Sequence, residues 1–381
     1  MSGLRPLRGH EPARTALAVA ARRGELPGAL LLHGPAGIGK QRLGLWLAQL
    51  LACEQETGLE PCGRCPACRL ALRLEHPDID WFFPLPRPRA SGGPDRLAEA
   101  LEEARAAELA ARRADPFWIR TPDQPAGIFL AQVQTLRRLA ALRPALGRRK
   151  TFLVGDAELL VPQEASPEAA NALLKLLEEP PPHTTIILTA ADPTALLPTL
   201  RSRLTAVALR PLPDATVEAF LVEERGADPA HARLVTRLAQ GSIGRALGLL
   251  PTADGPGPLE RLRTRARELL EAAADPSPLP RLAAAHATPT SGARGEFTEI
   301  LDFLALWIRD LAATATGARH LVINADAQEL LDRLARRIPA APAAAPDAIR
   351  AIDHARAAAA LNINPQLATA ALLRTLHETL A

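Results

Sequence analysis

GPAGIGKQ, Gly34–Gln41, follows the apolar run ALLLH (29–33) and precedes LGLWLAQLLA (43–52), whose apolar residues have helical spacing. It fits the phosphate-binding loop G-x-x-x-x-G-K-[ST] at every fixed position but the last, where Gln41 replaces the hydroxyl residue. Such loops work because successive backbone N–H groups and a helix N-terminus surround the phosphates while the lysine adds a positive charge. The strand–loop–helix context makes Gly34, Pro35, Ala36, Gly37, Ile38, Gly39, Lys40 and Gln41 the candidate nucleotide-binding segment, and it predicts an α/β domain. Gln41 removes the hydroxyl that ligates Mg²⁺, and its longer amide would have to fold back into a tight coordination shell. The loop therefore predicts the fold of a nucleotide-hydrolysing domain; whether it still turns over, with the Gln41 amide oxygen as a weak Mg²⁺ ligand, and whether ATP or ADP occupies it stay open at this point.

Outward from this loop the alternation continues. TFLVG (151–155) and TTIILTA (184–190) read as short buried strands, and NALLKLLEE (171–179) reads as a helix halted by Pro180 to Pro182. A parallel sheet covered by helices is the expected architecture. Beyond Arg210 only helical patterns follow. PLPDATVEAFLVEERG through GSIGRALGLL (211–250) reads as a small helical unit and PTADGPGP (251–258) as a linker. An all-α region comes next, interrupted at HATPTSGARG (286–295) and IPAAPAAAPD (338–347), with Asn364 and Pro365 as N-cap and first helical position. The expected domains are 1–209, 210–257 and 258–381. The segment 84–125 stands outside the pattern. PLPRPRASGGPD (84–95) reads as a loop and RLAEALEEARAAELAARR (96–113) as a charged helix, so a solvated insertion is expected.

The 381 residues are 48% hydrophobic and 23% charged, as in globular proteins with a sizeable core. No apolar run approaches a membrane span, and MSGLRPLRGHEPAR lacks a signal-peptide core, so a cytoplasmic protein without membrane contact is expected. A net charge of only +3 excludes binding of nucleic acid by the chain's overall field. The basic run RRLAALRPALGRRK (137–150) is a local candidate, or simply a solvated helix face.

Three further constellations bear on chemistry. TFLVGDAELL ends in Gly155-Asp156, so a metal-orienting and a water-activating carboxylate cannot both come from that pair. Glu158 is expected to turn away, and Asp156 reads equally well as a loop carboxylate. Cys53, Cys62, Cys65 and Cys68 form C-x8-C-x2-C-x2-C and are the only cysteines, which points to one closed, structural Zn²⁺ site, with disulfides or unrelated buried thiols as the plainer alternatives. TLRSRLT (199–205) puts Ser202 and Arg203 at a helix end, where an arginine by itself is ordinarily a solvated surface residue.

In this order LPGALLLHGPAGIGK, the four-cysteine module (53–68), HPD (76–78), NALLKLLEEPPPHTTIIL and LRSR resemble the AAA+ subunits of bacterial clamp loaders, most closely their delta-prime class. LNINPQLATAALL (361–373) is more weakly similar to the family's collar domain. The resemblance implies a RecA-like AAA+ domain, a small helical lid and an all-α collar that oligomerises. The ATPase class of the family, gamma/tau, keeps the loop Thr/Ser and an Asp-Glu pair, where this chain has Gln41 and Gly155-Asp156. The family's sensor arginine falls at Gly244, with Arg245 displaced by one. Little or no hydrolysis by the chain itself is the implication. The family's Ser-Arg-Cys motif is here Ser202-Arg203-Leu204, and its arginine is the one implied to reach a neighbour's ATP as a finger, worth about 10³–10⁵ in rate. The implied partners are gamma/tau and delta subunits and, through the assembly, the sliding clamp and primed DNA, within a DNA polymerase III holoenzyme. Two other readings stand beside this one. One is an active gamma/tau-type ATPase in which Gln41 and Asp156 suffice. The other is a zinc-dependent DNA-binding module with a vestigial loop, against which the near-neutral charge speaks.

Overall fold

The computed structural model describes residues 4–55, 58–88, 93–117, 126–160, 168–289, 294–360 and 364–380. The first part of the chain runs α1 (Glu11–Arg23), β1 (Ala29–His33), α2 (Lys40–Ala52), α3 (Pro66–Leu72), β2 (Ile79–Phe82), β3 (Leu85–Pro86), α4 (Pro94–Ala114), β4 (Ala126–Gly127), α5 (Leu130–Ala140), β5 (Lys150–Val154), α6 (Glu168–Glu178), β6 (Thr184–Ala190), α7 (Pro198–Arg201) and β7 (Thr205–Ala208). Five of the strands form one sheet in the order β2-β5-β6-β1-β7, all parallel, while β3 and β4 pair with each other. β1 lies between β6 and β7, with Leu31 opposite both Leu188 and Ala206.

The interior strands β5, β6 and β1 are short apolar runs because they are buried on both faces, whereas the edge strand β7 is largely exposed. Successive side chains go to opposite sides. Leu31, Phe152, Val154, Ile186 and Leu188 enter one core, with Val133 and Leu136 of α5 and Leu173 and Leu177 of α6. Leu30, Leu32, Leu153 and Ile187 enter the other, with Leu17 of α1 and Leu43 and Leu47 of α2. The sheet is thus covered on both sides, and the β1–α2 turn carries the glycine loop at the carboxyl end of an interior strand, where ligands of such sheets bind.

The helix expected to be a solvated insertion is part of this packing, which corrects that expectation. Leu101 of α4 is 1% exposed and joins the second core with Leu97, Ala98 and Leu109. The Arg105 guanidinium lies 4.7 Å from the Phe82 ring centroid, and Arg112 lies 4.2 Å from Trp81 and 4.6 Å from Phe83. Arginine stems and guanidinium planes cover aromatic faces here, so a charged sequence hides an apolar contact.

After β7 the described elements are helical: α8 (Asp214–Arg225), α9 (Pro229–Ala239), α10 (Ile243–Leu249), α11 (Pro258–Ala274), α12 (Pro278–His286), α13 (Arg294–Ala315), α14 (Gln328–Arg337), α15 (Ala341–Ala360) and α16 (Pro365–Leu380). The chain forms two compact units. The first reaches Phe220 and takes in Gly241–Gly244, and the second holds Leu221–Gln240 and everything from Arg245 onward. In the second, α13 packs against α11, α14 and α15, and α16 against α11, α12 and α15. Asn364 caps α16 as expected, its side-chain oxygen accepting from Gln366 N at 2.8 Å with Pro365 at the first helical position. The break expected over 338–347 is shorter than expected, because α15 begins at Ala341 and contains Pro346. Pro342, in the first turn, gives up an N–H that has no helical partner anyway, so the helix can start through the proline cluster. No helix among the described residues is long and apolar enough to cross a membrane.

Candidate functional site

The glycine loop has the backbone of a phosphate loop, with φ of 148° at Gly34, 72° at Gly37 and 103° at Gly39. Its carbonyls, however, are engaged from end to end. Lys40 Nζ donates to Gly34 O at 2.9 Å and Pro35 O at 2.8 Å. Ser242 Oγ donates to Ala36 O at 3.0 Å, Gly244 N to Gly37 O at 2.9 Å, and His10 Nε2 pairs with Ile38 O at 2.7 Å. Lys40 is 5% exposed, and burial pulls its pKa down against the opposing pull of Asp156 and Glu158.

Gln41 does not reach out of the loop. Its Nε2 donates to Asp156 Oδ2 at 3.0 Å, and its Oε1 accepts from Trp81 Nε1 at 3.0 Å. The amide therefore lies across the end of β5 with its donor and acceptor atoms both engaged. It fits because residue 155 is glycine: a Cβ there would stand 2.5 Å from Gln41 Oε1, 2.6 Å from Cδ and 2.8 Å from Nε2. The two departures noted separately in the sequence are thus one steric arrangement. Burial pushes the Asp156 carboxyl up against Lys40 and the Gln41 amide, and its backbone sits at φ 49°. Glu158 accepts from Ala191 N at 2.8 Å, burial likewise raises its pKa, and its charge still acts on Lys40.

The third departure is equally physical. A Cβ on Gly244 would meet Gly37 Cα at 2.8 Å and Gly37 O at 3.0 Å, so only glycine lets the start of α10 rest directly on the loop. Arg245, the displaced arginine, pairs with Glu299 at 2.6 Å and stands 5.1 Å from the centroid of Phe303. Sequence reasoning missed Trp81 in β2, His10 at the N-cap of α1 and Ser242 just before α10, which are far apart in the chain and are not fixed positions of the loop motif.

Arg203 lies just past α7, whose C-cap is Ser202. Its Nη1 donates to Thr199 O at 2.9 Å, and its Nη2 pairs with Glu178 Oε1 at 2.7 Å, at the end of α6. The side chains are 37% and 47% exposed, so this pair is weakly held and open to exchange.

The four cysteines come together. Their Sγ atoms all lie within 4.8 Å of one another. Backbone N–H groups point at the sulfurs, Cys65 N to Cys62 Sγ at 3.3 Å and Cys68 N to Cys65 Sγ at 3.4 Å. Backbone donors at Cys65 and Arg64 pull the Cys62 thiol down to about 6, and burial pushes Cys68 up. A cluster of four thiols, three of them buried and the fourth, Cys62, readily ionised, is what a thiophilic cation satisfies in closed tetrahedral geometry. All four are free thiols, not disulfides. In the HPD segment Asp78, 1% exposed, accepts backbone N–H bonds from Ala145 at 2.6 Å, Leu146 at 2.8 Å and Gly147 at 2.7 Å.

A sequence profile described as "DNA polymerase III, delta subunit" matches residues 9–213. The DNA polymerase III subunit delta' of Pseudomonas aeruginosa is 35% identical over 206 residues, 54% of this chain and 49% of that protein. That of Escherichia coli is 30% identical over 221 residues, 58% of this chain and 54% of that protein. The Escherichia coli DNA polymerase III subunit tau is 30% identical over 254 residues, 65% of this chain and 32% of that protein. The chain spans about half the length of the delta' relatives it matches.

Proposed function

The chain belongs to the DNA polymerase III delta-subunit family, and from that premise we propose that it is a non-hydrolysing, delta-prime-type subunit of a clamp loader. The observation that carries this is the Gln41 amide packed against Gly155 and held by Trp81 and Asp156. A hydroxyl ligand and a carboxylate are both missing where Mg²⁺ would be held, and their room is filled by one side chain. The loop then serves as a packing element for the start of α10 and not as a site of turnover.

The chemistry of such a subunit lies at its edge. Arg203 would leave Glu178 and extend to the γ-phosphate bound by a gamma/tau-type neighbour, stabilising charge on the transferring phosphoryl group. Residues 210–257 would act as the lid and 258–381 as the oligomerising collar, with delta-type subunits, the clamp and primed DNA met through the assembly. Cys53, Cys62, Cys65 and Cys68 would hold a structural Zn²⁺ that fixes the segment between α2 and α3 and leaves no open position for a substrate.

The test is the DNA- and clamp-stimulated ATPase of a reconstituted complex carrying Arg203→Ala, with gel filtration to confirm assembly. Turnover at the shared site should fall by about 10³-fold or more. Lysine at 203 should rescue poorly, since an ammonium lacks the planar fork of donors, and Arg201→Ala should matter far less. Wild-type rates with Arg203→Ala would reduce the subunit to a scaffold. Brisk Lys40-dependent hydrolysis by the isolated chain would instead favour the ATPase reading.

A further inference from the structure

We propose that an arginine-lined cleft between the end of α1 and the loop after α5 docks an acidic, leucine-containing peptide of a partner protein. The cleft encloses ≈ 810 Å³; Arg22, Arg23, Arg148 and Arg149 line it with Leu51, Leu70 and Leu146, and Glu54 is the one carboxylate among its lining residues. It shares no lining residue with the glycine loop or Arg203, but Cys53, Pro66 and Ala67 of the cysteine module line it, so it rests on the proposed metal holding that wall in place.

Two of these arginines are oriented in advance. Arg22 donates to Gly58 O at 2.9 Å and Gln55 O at 3.3 Å, and Arg149 to Thr185 Oγ1 at 3.2 Å. A guanidinium has five N–H donors, so these bonds fix the fork while leaving N–H groups for a ligand. The opposite wall is held as firmly. Asp78 gathers the N–H groups of Ala145, Leu146 and Gly147, and on this braced loop Leu142 is 57% exposed and Leu146 65% exposed. Exposed leucines on a fixed loop beside a cationic cleft are a preorganised docking surface. Arginine forks match carboxylates bidentately, and the leucines need an apolar complement. A sugar–phosphate backbone supplies the charge but not that complement, whereas a peptide alternating acidic and leucine residues supplies both.

Fluorescence anisotropy with the full, zinc-loaded chain tests this. The probes are a fluorescein-labelled peptide of repeating Glu-Leu units, a glutamate peptide of equal charge, and a single-stranded DNA oligonucleotide. The Glu-Leu peptide should bind most tightly. Arg23→Glu combined with Arg148→Glu should weaken it by about tenfold or more, and Leu146→Ser by about threefold. Arg138→Glu, on α5 outside the cleft, should leave it unchanged. Equal affinity for every variant would overturn the proposal. So would tighter binding of the DNA that needs the arginines but not Leu146. Because the Leu146 side chain is mostly in solvent, Leu146→Ser keeps the test decisive even if the charge reversals disturb the loop, which circular dichroism would reveal.

Discussion

A Cβ on Gly155 would stand 2.5 Å from Gln41 Oε1, so positions 41 and 155 cannot be changed independently. Gly155→Ala must push the amide aside and break its bonds to Trp81 and Asp156, at a cost of about 1–3 kcal/mol. Once Gln41 is shortened to threonine, the same change at 155 should cost almost nothing more. Urea unfolding of the two single variants and the double variant should therefore give a coupling of about 1–2 kcal/mol, whereas additive values would mean the amide moves freely. Gln41→Thr alone should not restore hydrolysis, because no carboxylate returns at 155. Each departure was legible as a break in a motif. Their dependence on one another was not, since Gln41 and Asp156 are 115 residues apart and only the parallel sheet brings them together. Trp81 was invisible for the same reason: within β2 it is an ordinary aromatic until its indole N–H meets Gln41.

Asp78 shows how one carboxylate fixes an element. Burial alone would raise its pKa, but the N–H groups of Ala145, Gly147 and Leu146 outweigh burial and hold it below the usual carboxylate range. A depressed folded pKa means stability fully present above the unfolded value, about 3.9, and lost as pH falls through the folded one. Asp78→Asn should cost about 1–3 kcal/mol near neutrality, and its deficit relative to wild type should shrink below about pH 4. A deficit that stays constant through that range would mean shape, not charge, is what the loop requires. The cysteine module makes a second prediction. α3 has seven residues, too few to stand as an isolated helix. Chelation or Cys65→Ser should therefore speed amide exchange across α3 by about tenfold or more and leave β1, β5 and β6 protected. An unchanged exchange pattern would show the segment needs no metal. Elements were legible where periodicity and burial agreed: β1 and β6 run over the residues their apolar runs indicate. α4 was misread because its buried side is completed by Arg105 and Arg112 over aromatic rings, a contact that composition registers as charge.

The division into two compact units lets the whole molecule report on the loop. The glycine loop, with Ser242 and Gly244 against it, belongs entirely to the first unit, and the helices from α11 onward belong to the second. A chain of this construction need not melt in one step. A ligand that binds only the folded first unit raises the transition of that unit through mass action. At a concentration about 100 times its dissociation constant it contributes about 2.7 kcal/mol. For a unit of this size that is a rise of several degrees. If Lys40, Ser242, Gly244 and His10 hold the loop closed while Gln41 fills the metal position, millimolar Mg·ATP or ADP should leave that transition where it is. The transition of the C-terminal helices serves as the internal control, since salt or ionic strength would move both together. Gly244→Ala should lower the first transition, because its new methyl would meet Gly37 Cα at 2.8 Å within that unit. A nucleotide-dependent rise of several degrees in the wild-type chain, abolished by Lys40→Ala, would mean that Gln41 yields its place and that the loop still takes nucleotide. In that event the inert character of the subunit would rest on the missing carboxylate at 155 alone.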